Sequence, residues 1–173
     1  YKRQEYAEGA DLPDGLNFLS AYPNLLVSRT FSKAYGLASL RVGYALSSKV
    51  VADVLNRVRQ PFNVNSLALA AACAALDDAD YVARSRQLNE AGMQQLEEGL
   101  AQMGLNWIPS KANFIAVDLG REAASVYDGL LREGVIVRPI GGYGMPDHLR
   151  VSIGLPGENS RFLEALSKVL ARG

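Results

Sequence analysis

At 173 residues the chain is long enough for one ordinary domain or two small lobes, and 49% apolar residues can build a core. Eighteen Lys and Arg balance eighteen Asp and Glu, so no net field draws the chain to nucleic acid or to an anionic membrane, and no apolar run nears the roughly 20 residues of a membrane helix. The single cysteine, Cys73, excludes an internal disulfide and a cysteine-built metal cluster; within SLALAAACAALDDA it reads as a small buried apolar side chain, suited to a reducing cytoplasm.

The polar run over residues 1–15 reads as loop, and it opens at Tyr1 without an initiator methionine, as a fragment or a processed chain would. Asn17 to Ala21 has the length of a short helical turn, and Tyr22-Pro23-Asn24 marks a chain reversal. Two mostly apolar strands are expected next, Leu25–Thr30 and Arg41–Leu46. Ser48 caps a helix over Lys49–Arg59, which Gln60-Pro61 interrupts because proline disfavours helix in the residue before it. Asn65 or Ser66 caps a second helix through Leu76; being nearly all Ala and Leu, it is expected to be buried on most sides.

A long helix is predicted from Asp80 to Met103, since from Leu88 onward Met93, Leu96 and Leu100 recur at the spacing of one helical face. Gly104 supplies its C-cap. Trp107-Ile108-Pro109 is extended, and Ala112–Val117 is a buried strand. A helix over Glu122–Glu133 ends at Gly134 and leads into a strand, Val135–Arg138. After the permissive Gly141-Gly142-Tyr143-Gly144 loop come a strand, Leu149–Ile153, and a last amphipathic helix, Glu158–Ala171. The pattern divides near residue 80. The second half suits a small α+β lobe, whereas the first has too few strands for a complete parallel sheet.

Chemistry concentrates in Ser28–Tyr44, SRTFSKAYGLASLRVGY. Taken alone, Lys33 reads as a surface lysine. Three neighbours change that: Thr30 and Ser32 alternate with Phe31, so both hydroxyls can face one site; Gly36 and Ala38 admit a ligand closely; and Arg41 carries a planar fork suited to phosphate. An amine that attacks a carbonyl must be partly deprotonated, which partial burial and nearby positive charge favour. A carbonyl-bearing cofactor with a phosphate handle needs both groups at once, and pyridoxal 5′-phosphate is such a molecule.

That segment resembles the cofactor-lysine segment of class I/II aminotransferases, and most closely the histidinol-phosphate aminotransferases, whose pattern is R-T-[FL]-S-K-A-[FY]-G-L-A-G-L-R-[VCI]-G; only Ser39 departs, at the usual glycine. E-Y-A-E at 5–8, R-Q-P-F-N-V-N at 59–65, A-N-F at 112–114, G-V-I-V-R-P at 134–139 and H-L-R-V-S-I-G at 148–154 fit in order. The resemblance implies the α/β fold of a fold-type-I PLP-dependent transferase, with residues 1–79 the C-terminal part of the large PLP-binding domain and 80–173 the small C-terminal α+β domain. It implies that Lys33 condenses with the cofactor aldehyde and is the catalytic residue, and that Ser32, Arg41 and, more weakly, Thr30 hold the cofactor phosphate. It also implies that Arg150 grips an acidic group of the substrate, Arg138 the substrate's phosphate, and Asn113 orients substrate or caps a turn. His148, the only histidine, reads as incidental, while Tyr35 and Tyr143 could line the site.

One family feature falls outside the chain. An Asp-x-x-Tyr pair, which holds the cofactor's ring nitrogen and ring oxygen, precedes the E-Y of E-Y-A-E in the family; alignment on Glu5-Tyr6 puts that tyrosine at Arg3 and the aspartate before Tyr1. The expectation is therefore a C-terminal half that does not transaminate alone. The whole protein would be a cytoplasmic homodimer moving an amino group between histidinol phosphate and 2-oxoglutarate in histidine biosynthesis, with no metal, nucleic acid or membrane involved. An aromatic-amino-acid transaminase, a threonine-phosphate decarboxylase and a non-catalytic fragment are the alternatives.

Overall fold

The structure, a computed structural model, describes Tyr6 and residues 14–172. Most of the loop expected over residues 1–15, and all of E-Y-A-E except Tyr6, lie outside the described residues. The chain divides into two compact units between Arg86 and Gln87, inside the long helix at whose start the sequence suggests a division.

In the first unit, the carboxylate of Asp14 accepts the Leu16 N–H at 3.2 Å and caps a single 3-10 turn, Gly15–Phe18. Strand β1 (Leu26–Thr30) pairs antiparallel with β2 (Gly43–Ser47), Thr30 opposite Gly43. β2 starts two residues later than expected because Arg41 adopts a left-handed backbone, φ 54°. Ser48 caps α1 (Lys49–Val58) and Asn65 caps α2 (Ser66–Asp77), their side chains accepting the N–H of Val51 and Ala68. Phe31, Val42, Ala68 and Ala72 form the buried cluster.

Two expectations fail here. α2 is not buried on most sides: Ala68 and Ala72 are covered, but Leu67 is 75% exposed and Leu69 and Leu76 are more than half exposed. Cys73, expected inside, is exposed. The partners of α2 are Phe31 and Val42 at the end of the strand pair with a few neighbours, and so small a patch covers only one stripe of an all-apolar helix.

In the second unit, the C-terminal part of α3 (Ala79–Gln102) and the helices α4 (Ala123–Arg132) and α5 (Pro156–Arg172) accompany a four-stranded antiparallel sheet. Its strands are β3 (Asn106–Ile108), β4 (Phe114–Asp118), β5 (Arg138–Pro139) and β6 (His148–Ser152), in the order β3-β4-β6-β5. Alternation along β4 and β6 sends Ile115, Val117, Leu149 and Val151 into one core with Leu96, Leu130 and Leu166. Phe114, Arg150 and Ser152 go to the other face. Gly104 and Gly134, at φ 70° and 76°, end α3 and α4 as the sequence predicts.

The strand expected over Val135–Arg138 shortens to Arg138–Pro139. The Val135 N–H is spent on the Leu130 carbonyl at 2.9 Å, which ties the segment to the end of α4. Residues 135–137 do not join the ladder, and a cavity of about 600 Å³ opens between them and residues 150–154. Among the described residues, no helix is long and apolar enough to cross a membrane.

Candidate active site

Where β1 ends, the chain turns back on itself within a few residues. The Phe31 N–H donates to the Val42 carbonyl at 3.2 Å, Leu37 N–H to the Phe31 carbonyl at 2.9 Å, and Gly36 N–H to the Lys33 carbonyl at 2.8 Å. Phe31 and Ala34 are buried, which anchors the turn, while Lys33 between them projects outward and is exposed. Partial burial of Lys33 is thus not found within this unit: no described side chain hydrogen-bonds to its Nζ or pairs with it, and the amine stands free on a fixed backbone.

Beside it, Thr30 Oγ1 accepts the Ser32 N–H at 3.0 Å, which brings the two hydroxyl residues together. Arg41 reaches the same place from nine residues on. Its Nη1 donates to the Ala38 carbonyl at 2.7 Å and to Ser32 Oγ at 3.4 Å. The left-handed backbone of Arg41 turns the side chain back over the 3-10 turn Ala38–Leu40. Ser32, Thr30 and Arg41 so come together, a guanidinium with two hydroxyl residues, on the same turn that carries Lys33. Such a set can hold an anion and present a nucleophile to a carbonyl attached to it. The Tyr35 ring packs on Phe31, with centroids 4.9 Å apart.

The second unit brings together Arg138 and Arg150. They are register partners across β5 and β6, and both line the 600 Å³ cavity. The Arg150 guanidinium lies over the Phe114 ring, 5.0 Å from its centroid, and Arg138 Nη2 donates to the Tyr143 hydroxyl at 3.4 Å. Asn113 does not line that cavity. Its carbonyl accepts the Ile153 N–H at 3.0 Å, extending the β4–β6 ladder by one step. His148 keeps a buried Nδ1 with no hydrogen-bond partner among the described residues.

Sequence reasoning missed two contributors. The Ala38 carbonyl that steadies Arg41 leaves no trace in residue type. Phe114, the platform under Arg150, was visible as a strand residue, but its position near Arg150 depends on the β4–β6 register, which places Ala116 opposite Arg150.

The model of the family described as aminotransferase class I and II matches residues 4–166. Histidinol-phosphate aminotransferase 2 of Pseudomonas fluorescens is 80% identical over 97% of this chain and 45% of its own length. The protein of the same name from Pseudomonas aeruginosa is 78% identical over 96% of this chain and 45% of its own. The chain thus spans less than half the length of these curated relatives. Among solved structures, histidinol-phosphate aminotransferase from Sinorhizobium meliloti in complex with pyridoxal 5′-phosphate superposes with a TM-score of 0.87 at 34% identity, over 97% of this chain and 47% of that one. The fold is the fold-type-I transferase fold, present here in part. Motif, fold and family model agree, and the chain belongs to the aminotransferase class I and II family.

Proposed function

We propose that this chain is the cofactor-lysine half of a pyridoxal-phosphate-dependent histidinol-phosphate aminotransferase. The observation that carries the reading is the turn that bears Lys33, on which Arg41 Nη1 lies 3.4 Å from Ser32 Oγ. Its donor set fits the cofactor: Arg41 and the Ser32 hydroxyl, with Thr30, would hold the phosphate, and Lys33 Nζ would bond to the aldehyde carbon. When bound, the cofactor supplies a carbonyl that carries the amino group and a ring that draws electrons from the substrate's α-carbon. Lys33 Nζ would take the substrate's α-proton as base and later return a proton as acid.

Arg150 would take the α-carboxylate of glutamate, bidentate, its plane steadied on Phe114. Arg138 would take the phosphate of histidinol phosphate. Two cations directly opposite on a sheet repel, and an anionic substrate between them relieves that repulsion. Asn113 acts through its backbone in this scheme, and its side chain is a weaker candidate for orienting substrate. Residues 1–79 would belong to the large domain and 80–173 to the small one. The exposed amine of Lys33 and the bare sides of α2 support a site completed by further chain, so the isolated segment would not turn over substrate. The whole protein would act in the cytoplasm as a homodimer, with 2-oxoglutarate as amino acceptor.

The test uses the full-length protein. Borohydride reduction in the presence of pyridoxal 5′-phosphate, followed by peptide mapping, should label Lys33, and Lys33→Ala should abolish both label and turnover. Label on another lysine, or unchanged turnover in Lys33→Ala, overturns the assignment. Greater kcat/KM with histidinol phosphate than with phenylalanine supports the substrate, and the reverse order overturns it.

A further inference from the structure

We propose that Tyr81, in the first turn of α3, is a positioning residue for Lys33, holding the lysine turn through Gly36. The inference rests on the assignment of Lys33 above.

Gly36 is left-handed, φ 71°, and closes the turn through its N–H to the Lys33 carbonyl at 2.8 Å. A Cβ at Gly36 would lie 2.5 Å from the Tyr81 hydroxyl oxygen and 3.4 Å from Cζ. The phenol therefore occupies the space a side chain at position 36 would need. The backbone angle favours glycine there, and any other residue would also have to push the Tyr81 ring aside. Tyr81 is itself fixed at a helix start, where its N–H donates to the Asp78 carboxylate at 2.9 Å. A continuous path runs from that cap through the ring to Gly36, and through one hydrogen bond to the peptide of Lys33.

The amine is exposed and no described residue bonds to it, so its aim comes from its backbone. The Leu37–Phe31 hydrogen bond and the buried Ala34 fix part of the turn. Ala68 and Ala72 pack against Phe31 and Val42 at its two ends, and Tyr81 adds a side chain from outside the segment at Gly36. A nucleophile displaced by about 1 Å can lose on the order of 100-fold in rate. Loss of the ring should thus alter how the amine is presented while leaving substrate arginines untouched.

The test uses the full-length protein and four variants: Tyr81→Ala, Tyr81→Phe, Gly36→Ala and the double Gly36→Ala/Tyr81→Ala. Three signals are followed: amide hydrogen exchange at Gly36 and Leu37 without cofactor, the pH midpoint of the visible band of lysine-bound cofactor, and kcat against KM. Tyr81→Ala should speed exchange at Gly36, move the midpoint and lower kcat by roughly tenfold with KM little changed. Tyr81→Phe, which keeps the ring, should restore most of each. Gly36→Ala should cost at least about threefold less in kcat when Tyr81 is already Ala, because the steric part of the penalty is gone while the backbone part remains. If Tyr81→Ala does not accumulate, Tyr81→Leu is measured and judged by the same signals. Unchanged exchange and midpoint, or additive effects at positions 36 and 81, overturn the proposal. If Lys33 is labelled while these signals stay put, only this inference fails; if Lys33 is not labelled, the functional assignment fails first.

Discussion

Arg138 and Arg150 face each other directly across the β5–β6 ladder, two guanidinium-bearing side chains on opposed positions of a short edge pair. Like charges so placed cost on the order of 0.2–1 kcal/mol in a sheet. Arg138→Gln should therefore leave the unliganded protein as stable or up to about 1 kcal/mol more stable in urea unfolding. It should at the same time weaken a phosphorylated substrate by roughly 10-fold or more, the usual effect of losing a charge-assisted contact worth about 1.5–3 kcal/mol. Arg150→Lys keeps the charge but loses the fork and the stacking on Phe114, 5.0 Å away. It should raise KM for glutamate by about tenfold and leave the Lys33 label unchanged. Equal KM values in wild type and Arg150→Lys would remove Arg150 from the carboxylate site.

Arg41 makes a separable prediction, because its backbone and its side chain pull in different directions. At φ 54° a residue with a Cβ bears a penalty of about 1–2 kcal/mol relative to glycine. Arg41→Gly should thus fold at least about 1 kcal/mol more stably than Arg41→Ala. Both variants should lose cofactor affinity to a similar extent, because both lack the guanidinium beside Ser32 Oγ. Paired urea curves and cofactor titrations of the two variants check this. Equal stability of Gly and Ala at position 41 would mean that the left-handed backbone is not retained.

Cys73 carries a prediction opposite to its sequence context. On α2 it is exposed, so in the folded 173-residue chain a thiol-disulfide reagent should titrate it at a rate close to that of the urea-unfolded chain. A strongly protected thiol would mean that another surface covers this side of α2.

The contrast between Cys73 and the helix caps shows what kind of information a sequence carries. Ser48, Asn65, Gly104 and Gly134 act on backbone groups a few residues away, and each was legible at its position. The lysine motif was legible for the same reason: the distance from Ser32 to Arg41 is spanned by one tight loop. Burial of Cys73 was not legible, since an apolar helix specifies that it should be covered but not by what. The length of β5 also escaped, because the Val135 N–H closes the end of α4 on the Leu130 carbonyl and so does not enter the ladder. Pairing of Arg138 with Arg150 needed the register, which depends on the whole sheet and not on either strand.

Gly92, within α3, shows the same point with a number that decides between two effects. Helix propensity alone favours Gly92→Ala by about 1 kcal/mol. In the structure, a Cβ there would stand 2.5 Å from Ile153 Cγ2, 2.9 Å from Asn159 Nδ2 and 3.2 Å from the Gly154 carbonyl. Asn159 is the one buried polar side chain among the described residues, and it cannot yield cheaply. Its Oδ1 accepts the Gly154 N–H at 2.9 Å, and its Nδ2 donates to the Gly154 carbonyl and to Gln95 Oε1, each at 3.1 Å. Overpacking of this kind costs about 1–3 kcal/mol, which exceeds the propensity gain. Gly92→Ala should therefore destabilise the protein by up to about 2 kcal/mol in urea unfolding. Asn159→Leu should cost more, about 2–4 kcal/mol, because it strands the partly buried Gly154 N–H and carbonyl and leaves Gln95 Oε1 without its donor. In an Asn159→Ala background, where the amide is gone, Gly92→Ala should cost less than it does alone. Strict additivity of the two changes would show that the helix and the β6–α5 corner do not meet through this side chain.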